Sequence, residues 1–346
     1  MCGPWPAPVG GVSVHIQRLS QRLEERGLRV AICDESPDRK QDHFFLRSFN
    51  LRRYIRLVRQ ADLLHIHSSV HWFRLLHLFS AVLFGKPAVI TFHSWRAGGM
   101  TTRLWRLLLR ATGSELVFVS EEIAQQLALP GLVAPAYVQG VAASEPPLPQ
   151  TVVSWIEQQA CAGRLLLVSN AYRLNDHAGA DLYGLDHCLA LIQSLRDQGV
   201  AAALLFVVAN PEGGEEKLTS AEAFINNHAL ADHCLIHRGA LSYVRLLQRA
   251  DIALRTTNTD GDALSVRESL AAGCITIASD VTRRPAGVRL FGTRDEADLL
   301  RVVTVAIKDL AAGRGECKPV ADEDCVAALV LLYQRLFRKS GAGLLF

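Results

Sequence analysis

Short apolar runs alternate with amphipathic helical patterns along all 346 residues of the chain. The runs are nearly continuous in apolar residues, which is typical of strands buried on both faces of a parallel sheet. The segments between them repeat apolar residues every three or four positions, as helices that cover a sheet do. This alternation predicts an α/β fold with parallel sheets. The predicted strands are residues 28–33, 62–67, 88–92, 115–120, 164–169, 202–208, 234–237, 251–254 and 274–279.

The length predicts two domains, because a single core rarely grows beyond about 250–300 residues. The Pro-rich polar stretch AASEPPLPQ at residues 142–150 is typical of a linker. We therefore predict two Rossmann-like domains that face each other across a cleft. The N-terminal domain spans residues 1–145, and the C-terminal domain spans residues 146–346 and includes the last helix. Ligands of open parallel sheets bind beyond the carboxyl ends of the strands, so the cleft is the expected site.

Charge and motif content exclude several classes of protein. The net charge of +3 is too small to predict nucleic-acid binding. The eight cysteines include no CxxC pair, which excludes zinc ribbons and thioredoxin-like motifs. Neither a GxGxxG fingerprint nor a GxxxxGK[ST] loop is present, so we predict no bound cofactor. The sequence begins without a basic and apolar leader and contains no long apolar run, so we expect a cytoplasmic protein.

Two further patterns bear on partners and metals. The predicted helix at residues 101–110 is basic and amphipathic, with Arg103, Arg106 and Arg110 among leucines. Such a helix either covers a sheet with a wetted outer face or lies on an anionic membrane surface. We expect His65 and His67 to lie on opposite faces of their strand, so we predict no metal pair there.

The most informative segment is ADIALRTTNTDGDALSVRESLAAGCITIASD, residues 250–280. Its strand leads into a polar loop, where Gly261 supplies backbone freedom at the turn. A helix then begins near Ala263, and Asp262 is its expected N-cap. The free N–H groups and the positive dipole end of that helix suit a phosphate. Asp260 and Glu268 lie on either side of this helix start.

This segment resembles the E-x7-E region of the retaining glycosyltransferases of family 4 (group 1), which have the GT-B fold. Asp260 stands at the position of the first Glu, and Glu268 matches the second. Residues 3–13 (GPWPAPVGGVS) are similar to the family's glycine-rich loop. Three predicted strand ends, DLLHIH, TFHS and VFVSE, follow in the family's order. The resemblance covers nearly the whole chain.

The resemblance implies transfer of a sugar from a nucleotide-sugar donor, with retention of anomeric configuration and without a metal. Glu268 would bind the ribose of the nucleotide, Asp260 would face the donor sugar, and His93 would contact that sugar. The departing diphosphate would be stabilised electrostatically. Leu264 and Ser265 would bind the distal phosphate of the donor through their backbone N–H groups. The loop of Gly10 and Gly11 would approach the donor phosphates and the acceptor.

The chain departs from the family pattern in three places. Arg173 in SNAYRL supplies the Arg that the family uses against the diphosphate, but Tyr183 stands near the position of the family's Lys. Asp260 is one methylene shorter than the Glu it replaces. Only Met1 and Cys2 precede the glycine-rich loop, so the first strand of the N-terminal domain is predicted to be missing.

Other interpretations remain open. The chain could be a GT-B protein that binds a nucleotide sugar with weak or no turnover, or a nucleotide-sugar epimerase. Residues 260–262 also match the DxD motif of metal-dependent, single-domain glycosyltransferases, although the two-domain pattern disfavours it. Taken singly, Glu268 could be a solvated helix residue, His93 a core histidine and Arg173 a surface arginine.

We predict a metal-independent retaining glycosyltransferase that extends a polysaccharide or glycolipid precursor. Its partners would be a nucleotide-sugar donor and a saccharide or lipid-linked acceptor. Peripheral contact with the anionic inner face of a membrane is a further expectation, and nucleic acid is excluded.

Overall fold

The chain folds into two compact α/β units. The computed structural model describes residues 1–6, 11–37, 43–95, 98–140, 145–261, 263–313 and 325–340. Unit 1 comprises Met1–Val138 and the C-terminal segment that carries the last helix, and unit 2 comprises Gln139–Asp322. Each unit is built on a parallel sheet, which confirms the predicted fold class. In the described part of the chain, no helix is both long and apolar enough to span a membrane.

The sheet of unit 1 has seven strands, and every neighbouring pair is parallel. Their order is β3-β2-β1-β4-β5-β6-β7. The strands are β1 (Cys2–Gly3), β2 (Cys33–Asp34), β3 (Phe44–Phe45), β4 (Leu64–Ile66), β5 (Ala88–Phe92), β6 (Glu115–Phe118) and β7 (Leu132–Val133).

The first strand of unit 1 is present, so the prediction of its absence is wrong. Cys2 and Gly3 form β1 in the middle of the sheet, between β2 and β4. The Cys2 carbonyl accepts a hydrogen bond from the His67 amide at 2.8 Å, and the Met1 carbonyl accepts one from the Cys33 amide at 2.8 Å. Two residues suffice because the strands on both sides satisfy their backbone groups.

Among the described residues, six helices belong to unit 1, and the last of them lies outside the domain to which the sequence analysis assigned it. Residues 146–346 were expected to form one domain, whereas α12 packs within unit 1. Leu329 and Leu332 of α12 share a core with Leu19 and Leu23 of α1. Both helices are amphipathic, and each buries its apolar face against the other. The helices are α1 (Gly11–Glu24), α2 (Leu51–Gln60), α3 (His71–Leu83), α4 (Gly99–Thr112), α5 (Glu121–Leu127) and α12 (Cys325–Ser340), with a short 3₁₀ helix at Leu46–Ser48.

The main sheet of unit 2 has six parallel strands in the order β12-β11-β8-β13-β14-β15. A two-stranded antiparallel ribbon joins β9 and β10. The strands are β8 (Leu165–Ala171), β9 (Asp176–His177), β10 (Ala180–Asp181), β11 (Ala202–Val208), β12 (Cys234–Arg238), β13 (Ile252–Arg255), β14 (Ile275–Ser279) and β15 (Arg289–Phe291). The helices are α6 (Gln150–Cys161), α7 (Leu185–Asp197), α8 (Glu215–Asn227), α9 (Tyr243–Leu247), α10 (Leu264–Ala271) and α11 (Glu296–Ala311).

In the sheet of unit 2, three neighbouring parallel strands end at the same edge. β13 pairs with β8 on one side and with β14 on the other, all in parallel. Their carboxyl ends therefore lie side by side, and the loops that follow them are neighbours. Asn258, after β13, donates its side-chain amide to the His177 carbonyl at 2.9 Å and so connects two of these loops.

Gly184 fixes another part of this edge. It precedes α7 with a φ of +67°, and a Cβ at this position would lie 2.4 Å from the Thr256 carbonyl oxygen. Thr256 directly follows β13 and donates its hydroxyl to the Tyr183 carbonyl at 2.8 Å. The missing side chain at Gly184 therefore lets the Tyr183 segment lie against the end of β13.

Gly184→Ala is expected to lower the free energy of unfolding of unit 2 by more than about 2 kcal/mol, because left-handed strain of about 1–2 kcal/mol adds to a backbone clash. Urea denaturation of the full chain measures it. The matched control is Gly199→Ala, at a φ of +72° with no atom of another residue within 4 Å among the described residues. An equal loss in both variants would contradict the close contact at Gly184.

Candidate functional site

The loop after β13 is held by an ion-pair cluster at Asp260, which we call the Asp260 cluster (Arg255, Thr257, Asp260 and Arg284). Arg255 donates to both carboxylate oxygens, with Nε to Oδ2 and Nη2 to Oδ1 each at 2.9 Å. Arg284 donates from Nη1 to Oδ2 at 2.7 Å, and the Thr257 hydroxyl donates to Oδ2 at 3.1 Å. The Asp260 carboxylate is thus engaged on both oxygens by this chain's own side chains.

The two arginines decide the charge of Asp260. Burial by itself raises the pKa of this carboxyl, but the charges of Arg255 and Arg284 and their hydrogen bonds lower it to about 2. Arg284 is also tied to the end of β14, since its Nε donates to the Ser279 carbonyl at 3.1 Å. Asp260 therefore joins the ends of β13 and β14 and fixes the loop that leads to α10.

Tyr183 lies beside this cluster, near the position where the family resemblance leads us to expect a lysine. The Arg255 guanidinium stands over the Tyr183 ring, 5.3 Å from its centroid. The two positive charges paired with Asp260 are those of Arg255 and Arg284, which the sequence analysis missed. Their signal was their position: Arg255 is the last residue of β13, and Arg284 follows β14.

The start of α10 carries three predicted donor-binding residues. Gly261 is exposed and donates its amide to Asp260 Oδ1 at 3.1 Å. Leu264 and Ser265 are half-buried in the first turn, where backbone N–H groups lack a partner within the helix. The predicted cap Asp262 lies outside the described residues.

Glu268 lies on the inner side of α10 and is only 7% exposed. The interpretation of Glu268 as a solvated helix residue is therefore wrong. Its carboxylate is close enough to Tyr243, the first residue of α9, to influence that phenol: burial raises the pKa of Tyr243, and the charges of Cys274 and Glu268 raise it further. A buried carboxylate one turn behind a helix N-terminus is a strong hydrogen-bond acceptor.

Arg173 follows β8, at the same edge of the sheet. The residue is half-buried, and its Nε is buried without a hydrogen-bond partner in the part of the chain that the structure describes. An unsatisfied guanidinium N–H is costly unless a ligand or water accepts from it. Arg173 follows β8, and the loop leading to α10 follows the neighbouring strand β13.

The remaining predicted residues belong to unit 1. His93 follows β5 and is half-buried, and its Nε2 lies 3.1 Å from Nδ1 of His67. Gly11 begins α1 and is exposed, while Gly10 lies outside the described residues. Burial lowers the pKa of His93 well below the usual value of a histidine, so its ring is neutral.

His65 and His67 share one face of their strand, so the expectation of opposite faces is wrong. Residues two positions apart on a strand point the same way. Their ring centroids are 4.0 Å apart, and His65 lies between Tyr333 and Thr91, with its Nδ1 2.5 Å from the Tyr333 hydroxyl and its Nε2 2.7 Å from that of Thr91. His93 accordingly belongs to a cluster of buried histidines that sequence spacing did not reveal.

Comparison with known proteins agrees with this architecture. Residues 9–134 match the family described as Glycosyltransferase Family 4. None of the curated proteins compared with the chain matches it in sequence.

Solved structures resemble the chain over nearly its whole length. A glycosyltransferase from Rickettsia africae superposes with a TM-score of 0.71 at 13% identity, covering 97% of this chain and 98% of that one. HepE from Anabaena, in complex with UDP and glucose, gives a TM-score of 0.65 at 12% identity over 99% of both chains. Sucrose-phosphate synthase from Thermosynechococcus elongatus gives 0.64 at 14% identity, over 96% and 94%.

The protein therefore has the GT-B fold of two-domain glycosyltransferases. The resemblance to the group 1 glycosyltransferases of family 4, inferred above from short motifs, is confirmed by the match at residues 9–134 together with the fold.

Asp260→Asn is expected to lower the free energy of unfolding at pH 7 by about 2–3 kcal/mol, because it leaves two buried guanidinium groups without their anion. The folded-state pKa of Asp260, about 2, is below its unfolded value. Its contribution is therefore complete above about pH 5 and is lost as the pH falls toward 2. Urea denaturation at several pH values measures the difference between the two proteins.

Asp197→Asn serves as the control for this variant. Asp197 pairs with Arg196 at 2.6 Å, but its side chain is 53% exposed. An exposed pair of this kind contributes less than about 1 kcal/mol. A stability loss at Asp260 no larger than that at Asp197 would refute the role of the Asp260 cluster.

Proposed function

We propose that the protein is a retaining glycosyltransferase that moves a sugar from a nucleotide-sugar donor to a saccharide or lipid-linked acceptor. The observation that carries the proposal is the buried carboxylate of Glu268 behind the N-terminus of α10, next to the strand end that bears Arg173 and its unpartnered Nε. This arrangement combines an acceptor for hydroxyl groups with donors for a diphosphate.

The diphosphate of the donor would bind at the start of α10. The amides of Leu264 and Ser265 and the positive end of the helix dipole favour an anion there. Gly261 leaves the approach open, since no atom of another described residue lies within 4 Å of where its Cβ would be. Arg173 would satisfy its buried Nε by donating to a phosphate oxygen, a charge-assisted hydrogen bond.

The nucleotide ribose would bind to Glu268, because an ionised carboxylate accepts from two neighbouring hydroxyls at once. Asp260 would face the donor sugar from a loop whose position the two arginines fix. His93 would contact the sugar, and the loop of Gly10 and Gly11 would approach the donor phosphates and the acceptor.

The chemistry proposed for this site is electrostatic. As the bond between the anomeric carbon and the phosphate oxygen breaks, negative charge builds on the departing diphosphate. Fixed donors at that position stabilise the transition state more than the ground state. Arg173 and the α10 amides supply those donors, so transfer would proceed without a metal and without a covalent nucleophile of the chain. The complex of HepE with UDP and glucose supports a nucleotide sugar as the donor class.

Glu268→Ala is expected to weaken nucleotide binding at least about tenfold, because the ribose loses a charged acceptor worth about 1.5–3 kcal/mol. A thermal-shift titration with UDP, GDP, ADP and UDP-glucose measures it, since a ligand of the native state raises Tm by mass action. Glu157→Ala, at an exposed residue of α6, is the matched control and should respond as wild type does. Unchanged nucleotide affinity in Glu268→Ala would refute the ribose role.

Product analysis separates this function from its two alternatives. A transferase releases nucleoside diphosphate and glycosylates an added acceptor. A binding protein without turnover would stabilise in the thermal-shift assay and release nothing. An epimerase would convert the free sugar or its nucleotide form without any acceptor.

We further propose that unit 1 contacts an anionic membrane through the outer faces of α3 and α4. Trp72, Phe79 and Leu83 form an exposed stripe along α3, and Leu104 and Leu107 are exposed on α4. The two helices adjoin, since the rings of His71 and Trp105 are 5.6 Å apart. Several large apolar side chains exposed on two adjoining helices suit an interaction site.

Exposed basic residues also lie on α4 and on α2 of the same unit. Arg103 and Arg110 are exposed on α4, and four arginines are exposed on α2, namely Arg52, Arg53, Arg56 and Arg59. Apolar side chains flanked by arginines suit the interface of a bilayer with anionic head groups. The outer face of α4 is apolar as well as basic, which favours the membrane interpretation over that of a wetted sheet cover. A lipid-linked acceptor would then be within reach of unit 1.

Trp72→Ser with Phe79→Ser is expected to reduce binding to phosphatidylglycerol vesicles at least about tenfold in a co-sedimentation assay, because two large apolar side chains lose their burial in the interface. Binding of the wild-type protein should fall with salt and be weaker on phosphatidylcholine. Val305→Ser, at an exposed apolar residue of α11 in unit 2, is the control. Equal binding to both lipids, or an unaffected double variant, would refute the membrane contact.

A further inference from the structure

Three histidines of unit 1 form a triangle of rings beyond the ends of β4 and β5. His15 comes from α1, His67 follows β4, and His93 follows β5. The ring centroids are 5.3 Å apart for His15 and His67, 5.2 Å for His15 and His93, and 5.4 Å for His67 and His93. One ring nitrogen of each lies within 4.8 Å of the other two. The three side chains thus converge although they are far apart in sequence.

Two nitrogens of this triangle are buried without a partner. Nε2 of His15 and Nε2 of His67 have no hydrogen bond to any of the residues that the structure describes. His15 is 3% exposed and His67 is fully buried. Nδ1 of His15 lies 3.1 Å from the Ala136 carbonyl, which can only accept, so Nδ1 carries the proton and Nε2 presents a lone pair. A buried polar atom without a partner calls for an explanation, and an ion bound to the ring lone pair is one such explanation.

We infer that His15, His67 and His93 form a binding site for one divalent transition-metal ion of the type that prefers imidazole, such as Zn²⁺, Co²⁺ or Ni²⁺. In a tetrahedral site with metal–nitrogen bonds of about 2.1 Å, the centroids of the ligand rings are about 5 Å apart, close to the separations found here. The contact between His67 and His93 would be exchanged for two bonds to the metal by a small pivot of the rings. Three imidazoles favour these ions over Mg²⁺ or Ca²⁺, which prefer oxygen ligands.

The surroundings hold these rings in place, as second-shell groups of metal sites do. The Ala136 carbonyl orients His15 through its Nδ1. His65 lies against the His67 ring and is itself fixed by Tyr333 and Thr91. Gly3 lets α1 approach β4, since a Cβ at this position would lie 2.5 Å from Cδ1 of Ile16 and 3.1 Å from Cβ of His67. The site is therefore built from three strand or helix ends.

Half-buried His93 leaves one side of the triangle open, so the fourth position would be filled by water or an anion. Ligation through one ring nitrogen leaves the other for the contact proposed with the donor sugar. A second cluster, Cys2, Cys33 and His77, differs because both nitrogens of His77 are already engaged, Nδ1 with Tyr54 and Nε2 with Glu35. The inference concerns metal binding and stands independently of the proposed transferase activity.

Cobalt titration of the full, tag-free and chelator-treated chain tests this site. We expect one Co²⁺ per chain, with the visible absorption of nitrogen-ligated tetrahedral Co²⁺ and without a thiolate charge-transfer band. His67→Ala and His93→Ala should each weaken binding at least about a hundredfold, more than the loss of a second-shell partner does. His93 is half-buried, so its variant tests the site even where His67→Ala fails to fold. Circular dichroism establishes the fold of each variant.

His177→Ala is the control, because His177 lies exposed on β9 in unit 2. It should bind Co²⁺ as wild type does. Three outcomes would overturn the inference: no stoichiometric uptake by the wild-type chain, unchanged affinity in His93→Ala with its fold intact, or a thiolate band, which would assign the ion to the cysteines.

Discussion

The ion pairs of Asp260 with Arg255 and Arg284 are the interaction on which the edge of unit 2 depends. Arg255 ends β13, and Arg284 is bonded to the end of β14, so one carboxylate joins two neighbouring strands. The cluster is largely shielded from water, where unpaired charges are costly. The loop it holds leads directly into α10, and the direction of that helix decides where its N-terminal amides point. An electrostatic contact thus fixes the loop before α10, where we propose that the donor phosphates bind.

Some polar side chains of the candidate site have hydrogen-bond partners within the chain, and others do not. Those without a partner are the candidates for ligand binding. Both carboxylate oxygens of Asp260 are engaged by its own chain, which fixes the loop from which Asp260 is proposed to face the donor sugar. The Nε of Arg173 is a buried donor without a partner among the described residues, and a phosphate oxygen would satisfy it. In unit 1, both ring nitrogens of His65 have hydrogen-bond partners. His15 and His67 differ, because Nε2 of each has no partner among the described residues. Buried polar atoms without partners point to ligands in both units.

The sequence predicted the central strands of unit 2 closely. The strand predicted at residues 202–208 is β11, which is buried at every position. Edge elements were less predictable: the run at residues 28–33 contributes only its last residue to β2. A two-residue strand such as β1 carries no periodic signal and is defined by its hydrogen bonds to β2 and β4. The family resemblance singled out Glu268 through residues 250–280 and Arg173 through SNAYRL, and both residues follow strands that the apolar pattern locates.

The sequence by itself determined the α/β class, the two parallel sheets and the segment at residues 250–280, because strand burial and helix periodicity are local patterns. Only the tertiary structure decided which charges meet. Arg284 reaches Asp260 from 24 positions away, and His15 meets His67 and His93 from separate elements. It also decided that α12 returns to pack on α1 in unit 1. Contacts between distant residues depend on strand order and helix direction, which no local pattern encodes.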